Sequence, residues 1–204
     1  MTANLTLIDA GTGNLRSVYK ALETLGADVE LTSDPSDVLR ATKIVLPGVG
    51  AFGDFMIGLH QRGLAEPILQ ANTRQVPILG ICVGMQAMYE LSEEMGKHDG
   101  LGILPGRVVH FPAFTDLKIP HTGWNQLHFT RKSPLVEGLQ EDDYAYFNHS
   151  YYCAPLDDSF TVAWTDYGIP VTSVVQKGHI FGVQFHPEKS QQVGLSILGN
   201  FLAL

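Results

Sequence analysis

Cys82 lies between two glycines in Gly80-Ile81-Cys82-Val83-Gly84, and much later the chain carries His186-Pro187-Glu188. The run Pro77 to Ile81 reads as a short buried strand, and Val83 to Leu91 reads as a helix. A cysteine at such a strand-to-helix turn is the thiol form of a nucleophile elbow. The glycines admit the tight backbone, and the side chain stands at the helix N-terminus, where the dipole favours a thiolate. A free thiol, with a pKa near ~8.5, is only a few per cent ionised at neutral pH, so an elbow of this kind needs a base. His186 is the candidate. Positions i and i+2 of an extended segment point the same way, so Glu188 falls on the side of His186 and is placed to orient the imidazole as the third member of a triad. Alone, a Gly-x-Cys-x-Gly run is a weak signal, because buried cysteines are common and usually inert. Paired with His-Pro-Glu, it points to a Cys-His-Glu nucleophilic enzyme.

The rest of the composition narrows the choice. The 204 residues suffice for one domain with a substantial core, read here as residues 1–204, and the 45% apolar and 17% charged content is that of a globular protein. A net charge of −8, with Arg131-Lys132 the only adjacent basic pair, argues against a nucleic-acid partner. Met1-Thr2-Ala3-Asn4 has neither the cationic start nor the apolar stretch of a secretory leader, and no apolar run approaches the ~20 residues that span a bilayer. No membrane association and a cytoplasmic location are therefore expected. Cys82 and Cys153 make no disulfide framework, and the eight histidines show no metal-ligand spacing, so neither a metal nor another cofactor is expected.

The elements that must position the cysteine follow from the pattern. Leu5 to Asp9 reads as a first strand ending in the tight turn Ala10-Gly11-Thr12-Gly13, which lacks the lysine and spacing of a phosphate loop. Leu15, Val18, Tyr19, Leu22 and Leu25 recur at helical spacing, with Gly26 at the terminating position. Val29 to Leu31 is a second strand, Asp34-Pro35 opens a short helix, and Lys43 to Leu46 is a third strand stopping at Pro47-Gly48-Val49-Gly50. Such alternation predicts an α/β fold with a mostly parallel sheet, whose ligands gather at the carboxyl ends of the strands. The C-terminal half changes style. Short strands of antiparallel type are expected at Val108–His110, Trp124–Leu127, Tyr144–Phe147, Phe160–Trp164 and Val171–Gln176. Ile180–Phe185 then delivers His186, and Ser190 is read as the cap of a closing helix through Phe201.

With these segments assembled, the chain resembles the class I glutamine amidotransferases. The resemblance is carried by Ile8–Leu15, Leu46–Gly53, Gly80–Gln86, Lys118–Asn125, His149–Tyr151 and Gly182–Ser190, collinear over nearly the whole chain. Ala10, Val83 and Asn148 stand where it would place tyrosine, leucine and valine. It implies that Cys82 attacks the side-chain carboxamide of L-glutamine, that His186 moves the proton and that Glu188 holds His186. It implies an oxyanion site from the N–H of Val83 and the loop Gly48-Val49-Gly50, and glutamine-holding groups at Gln86 and the backbone of Ser150 and Tyr151. It further implies a partner, a cyclase subunit of (β/α)8-barrel fold that consumes the ammonia, with Trp124, Tyr146 and Lys189 at the junction. Two other readings stay open on the sequence: a glutaminase serving a different synthase, and a non-catalytic binding protein of the same fold.

Overall fold

Leucine, isoleucine and valine runs bounded by glycine and proline make strands that can be buried on both faces, and the core is built around them. The structure, a computed structural model, describes residues 4–113 and 117–204. Met1 to Ala3, most of the segment on which the expectation of no secretory leader rests, lie outside the described residues. In chain order the first half reads β1 (Asn4–Ile8), α1 (Leu15–Thr24), β2 (Asp28–Thr32), α2 (Pro35–Arg40), β3 (Ile44–Gly48), α3 (Phe52–Gln61), α4 (Ala65–Thr73), β4 (Ile78–Cys82) and α5 (Val83–Ala87). Gly26, at φ 83°, terminates the first helix, and the Asp34 side chain accepts the Ser36 N–H at 2.8 Å to cap the second.

The chain continues through β5 (Tyr89–Ser92), β6 (His98–Asp99), β7 (Leu104–His110), β8 (His121–Gln126), β9 (His128–Phe129), β10 (Tyr144–His149), β11 (Tyr151–Pro155), β12 (Thr161–Asp166), β13 (Pro170–Lys177), β14 (Ile180–Val183) and α6 (Gln191–Ala203). The central sheet has the order β2-β1-β3-β4-β14-β13-β12-β9. Its first five strands are parallel and the rest antiparallel. A four-stranded sheet, β11-β7-β5-β6, and a two-stranded ribbon, β10-β8, complete the fold. The α/β architecture with a mostly parallel sheet and smaller antiparallel parts is as the pattern implies. No helix among the described residues is long and apolar enough to cross a membrane.

Two expectations need correction, and one segment without an expectation is filled. The helix after Cys82 stops at Ala87, and Tyr89–Ser92 instead forms β5, because β6 and β7 recruit it from either side. The segment from Phe52 to Thr73, left unassigned by the pattern, holds two helices. Ser190 holds the N-cap position of α6, its carbonyl accepting the Gly194 N–H at 3.2 Å, but its side chain makes no cap bond: the hydroxyl donates to the His186 carbonyl at 2.7 Å and accepts the Tyr146 N–H at 2.9 Å.

Register then brings the chemistry together. Gly48 pairs with Cys82 and Val183 with Ile81, so β3, β4 and β14 end side by side. His186 lies just past the end of β14, and its N–H donates to the Tyr146 carbonyl of the ribbon at 2.9 Å.

Candidate active site

The strand β4 ends in a left-handed residue. Cys82 has φ 53° and ψ −113°, a conformation that costs on the order of 1–3 kcal/mol for a residue with a Cβ and is kept only where its surroundings enforce it. The next turn enforces it here. A Cβ on Gly84 would strike the Leu46 carbonyl, and one on Gly48 would come within 2.7 Å of the Gly84 nitrogen. Two glycines thus let β3 and the start of α5 touch, and the thiol is left at the floor of a cleft of ≈ 430 Å³.

Val49, Gly50, Cys82, Val83, Gln86, Ser150, Tyr151, His186 and Lys189 all border this cleft, so nearly all of the proposed chemistry lies around one space. Gly48 does not line it; it lies beneath, as the contact surface for Gly84. His186 Nδ1 meets Glu188 Oε1 at 3.0 Å, and both side chains are almost wholly buried. Burial alone would lower the imidazole pKa, but hydrogen bonds to Cys82 and Glu188, with the attraction of both, push it up to about 10. The ring therefore holds a proton at neutral pH, facing the sulfur. The other Glu188 oxygen, Oε2, is buried without a hydrogen-bonding partner among the described residues.

Gln86 donates from Nε2 to the Tyr151 carbonyl at 3.0 Å and to Gln184 Oε1 at 3.1 Å. His149, bordering the cleft, joins His121 at 3.0 Å through its Nε2 and the Tyr151 carbonyl at 2.8 Å through its Nδ1. From the cleft border, Lys189 Nζ lies 5.6 Å from the centre of the Tyr146 ring, and that ring is 5.9 Å from Trp124. Trp124 is 45% exposed, so the three form a path from the cleft to a surface with an uncovered indole. Cys153 is a free, fully buried thiol. The group His128, Glu141 and Asp142 approaches metal-ligand spacing, but none of the three borders the cleft.

Two residues of the site escaped the sequence reading. Glu94 borders the cleft with a carboxylate that also accepts the Phe52 N–H at 2.7 Å, at the start of α3. No local pattern marks it, because its site partners are far away in sequence. Gln184 donates to Cys82 Sγ at 3.7 Å. Glu188 reaches His186 from a short 3₁₀ turn, Pro187–Lys189, and not from the extended segment the sequence suggests, whereas Gln184 and His186 are two residues apart in the extended stretch before it.

Residues 6–203 match the family of class-I glutamine amidotransferases. The chain is 48% identical over 204 residues to the imidazole glycerol phosphate synthase subunit HisH of Salinibacter ruber, covering 98% of this chain and 94% of the relative. It is also 48% identical over 202 residues to the HisH subunit of Geobacillus kaustophilus, with 97% and 95% covered. Among solved structures, PurLQS from Thermotoga maritima superposes over 100% of this chain and 99% of that one, at TM-score 0.78 and 19% identity. A structure described as a glutamine amidotransferase superposes at TM-score 0.76 and 18% identity, with 98% and 99% covered.

Proposed function

The chain belongs to the class-I glutamine amidotransferase family, and on that premise we propose that all 204 residues act as one glutaminase domain that hydrolyses L-glutamine to glutamate and ammonia. The observation that carries the reading is Cys82 at φ 53° on the cleft floor, beside a His186 held by Glu188 at 3.0 Å.

The chemistry follows from those groups. The Cys82 sulfur attacks the carboxamide carbon, and the carbonyl oxygen becomes an oxyanion. The Val83 N–H, first in α5, and a peptide of the Val49-Gly50 segment are its donors; each such donor lowers the barrier by about 3 kcal/mol. Gly50, at φ 90°, occupies backbone space that only glycine enters freely. His186 delivers its proton to the leaving nitrogen, ammonia departs, and a thioester remains on Cys82. The now neutral imidazole takes a proton from water as the water attacks, and glutamate is released. Gln86 and the Ser150–Tyr151 backbone hold the substrate, and the Glu94 carboxylate matches the charge of its α-ammonium.

The relatives named as subunits of imidazole glycerol phosphate synthase support a specific destination for the ammonia. It passes to a (β/α)8-barrel cyclase subunit, forming a heterodimer that makes imidazole glycerol phosphate and aminoimidazole carboxamide ribotide in histidine biosynthesis. Trp124, Tyr146 and Lys189 form the junction, and the complex works in the reducing cytoplasm. The test is glutamate release by the purified chain, alone and with that cyclase and its nucleotide ligand. Weak activity alone and a large rise with both are expected, lost on Cys82→Ala. No release under either condition overturns the reading.

A further inference from the structure

The Tyr151 carbonyl can only accept, and it receives two hydrogen bonds, from Gln86 Nε2 at 3.0 Å and from His149 Nδ1 at 2.8 Å. That single fact orients every side chain in two buried arms. On one arm, Gln86 must turn its nitrogen toward Tyr151. The same nitrogen meets Gln184 at 3.1 Å, so Gln184 must present its oxygen there. The remaining end of Gln184, its Nε2, then faces Cys82 Sγ at 3.7 Å. On the other arm, His149 carries its proton on Nδ1, so its Nε2 accepts. His121 Nδ1 must donate to it at 3.0 Å, which leaves His121 Nε2 to accept from Asn125 Nδ2 at 3.2 Å. Asn125 fits that sense, because its nitrogen also donates to the Asp166 carbonyl and its oxygen accepts the Gln126 N–H. A flipped amide or exchanged tautomer anywhere sets two donors or two acceptors against each other.

We propose that Gln184 is a positioning residue for the Cys82 sulfur, its amide N–H aimed at the nucleophile by Gln86 and the Tyr151 carbonyl. Gln184 is wholly buried, with its N–H on the Ser173 carbonyl at 2.9 Å, so its side chain has a fixed root. Its donor steadies negative charge on sulfur from the side opposite in role to His186: one group moves the proton, the other keeps the sulfur placed. Gln86 belongs to both the substrate wall and this brace, so filling the cleft and aligning the nucleophile are linked through one amide. The inference rests on the reading of Cys82 as the nucleophile.

The test is Gln184→Met in the full chain, which keeps the length and removes both polar atoms. Alkylation of Cys82 by iodoacetamide is followed against pH by mass spectrometry. The other titratable groups about the sulfur are His186, Glu188 behind it, and the Cys153 thiol, which burial, with the nearby Cys82, keeps protonated, and around the same cleft lie Glu94, His149, Tyr151 and Lys189; all are unchanged in the variant. Loss of a donor to the charged sulfur should move the alkylation midpoint up by about one pH unit. With the cyclase present, kcat for glutaminase should fall about tenfold while KM stays within about threefold, as for a lost charge-assisted hydrogen bond at the reacting atom. An unmoved midpoint overturns the proposal even if kcat falls, because a merely structural role would lower activity without moving it. Should Gln184→Met not fold, the native chain decides instead: Gln184 side-chain amide signals that shift when Cys82 is ionised support the proposal, and signals that do not move overturn it. A native chain that alkylates as expected but releases no glutamate overturns the proposed function and not this inference.

Discussion

His186 and His149 border the same cleft and are almost equally buried, at 3% and 5% exposure, yet one ring is held protonated and the other neutral. Burial acts on both in the same direction, against the imidazolium. At His186 it is overcome by Cys82 and Glu188, and the pKa rises to about 10. At His149 it is not: the pKa falls to about 3, driven first by burial and further by the nearby charge of His121 and His186, although the Tyr151 carbonyl pulls the other way. His121, its partner, falls to about 4 through burial. Among the described residues, the Tyr151 carbonyl, the Asn125 amide and the rings of Phe111, Phe147 and Tyr167 bond or pack against the pair, and none of these brings a full negative charge. The Cys82 sulfur and the Glu188 carboxylate therefore separate a proton carrier from a pair of neutral hydrogen-bonding links. The protonated ring suits chemistry, and the neutral pair suits orientation, because a neutral imidazole has one donor and one acceptor and so has a direction.

The strongest break in that comparison removes the proton carrier. His186→Ala should lower cyclase-activated glutamate release by about 10³-fold, within the range for a lost acid–base group, with the fold retained by circular dichroism. A loss under tenfold would show that the imidazole does not carry the reaction. Next, Glu188→Gln should make His186 resemble His149. The side chain keeps its shape and a carbonyl oxygen for Nδ1, but the negative charge is gone. The His186 pKa, read by NMR titration, should drop below the ordinary 6.5, and activity should fall about 10²-fold. A ring that stays protonated at neutral pH would mean that Cys82 alone holds the charge.

A gentler break acts on the neutral pair. His121 stacks on Tyr167 at 3.9 Å and on Phe147 at 4.6 Å, so phenylalanine at 121 keeps the stack while deleting the donor to His149 and the acceptor for Asn125. Leaving His149 Nε2 buried without a donor should cost about 1–3 kcal/mol of stability at pH 7, measured by urea unfolding. Glutaminase activity should change by less than about threefold, because the Gln86 arm still fixes the Tyr151 carbonyl.

How much of this could be read from the chain depends on how local each signal is. The parallel strands were legible because their apolar runs and glycine stops are contiguous, and the elbow and His-Pro-Glu segment because each is short. α3 and α4 were not, since glycines at 53 and 58 and Pro67 look like breakers. The structure explains two of them: Pro67 sits in the first turn of α4, where its missing N–H costs nothing, and Gly58 packs against the Ala10 carbonyl. The helix drawn to Leu91 failed because helical spacing cannot compete with two strands waiting to pair with Tyr89–Ser92. Glu94, and the sense of the amides and imidazoles about Tyr151, depend on partners brought together only by the fold.

The smallest expected effect uses pH to set the two centres against each other. Between about pH 6.5 and 4 an unfolded histidine binds a proton that His121 and His149 refuse, so the unfolded state holds more protons and stability falls as the solution is acidified. The slope is at most about 1.4 kcal/mol per pH unit for each ring, and because one charged ring opposes the second in the native state, the pair goes on refusing its second proton to lower pH. His186 has the opposite sign. Its proton is held in the native state above 6.5, so its contribution is complete below that pH and is lost as pH rises toward about 10. Carboxylates also shape the acid limb, so the informative quantity is the difference between the native chain and His121→Phe across urea unfolding at pH 7, 6 and 5. That difference should shrink as the pH falls, because the variant has one fewer ring that refuses a proton. On the alkaline side the two chains should run parallel, since both keep His186. If the gap between them instead widened with acid, the pair would be binding protons in the native state. His121 and His149 would then belong with His186, as charged groups rather than oriented links.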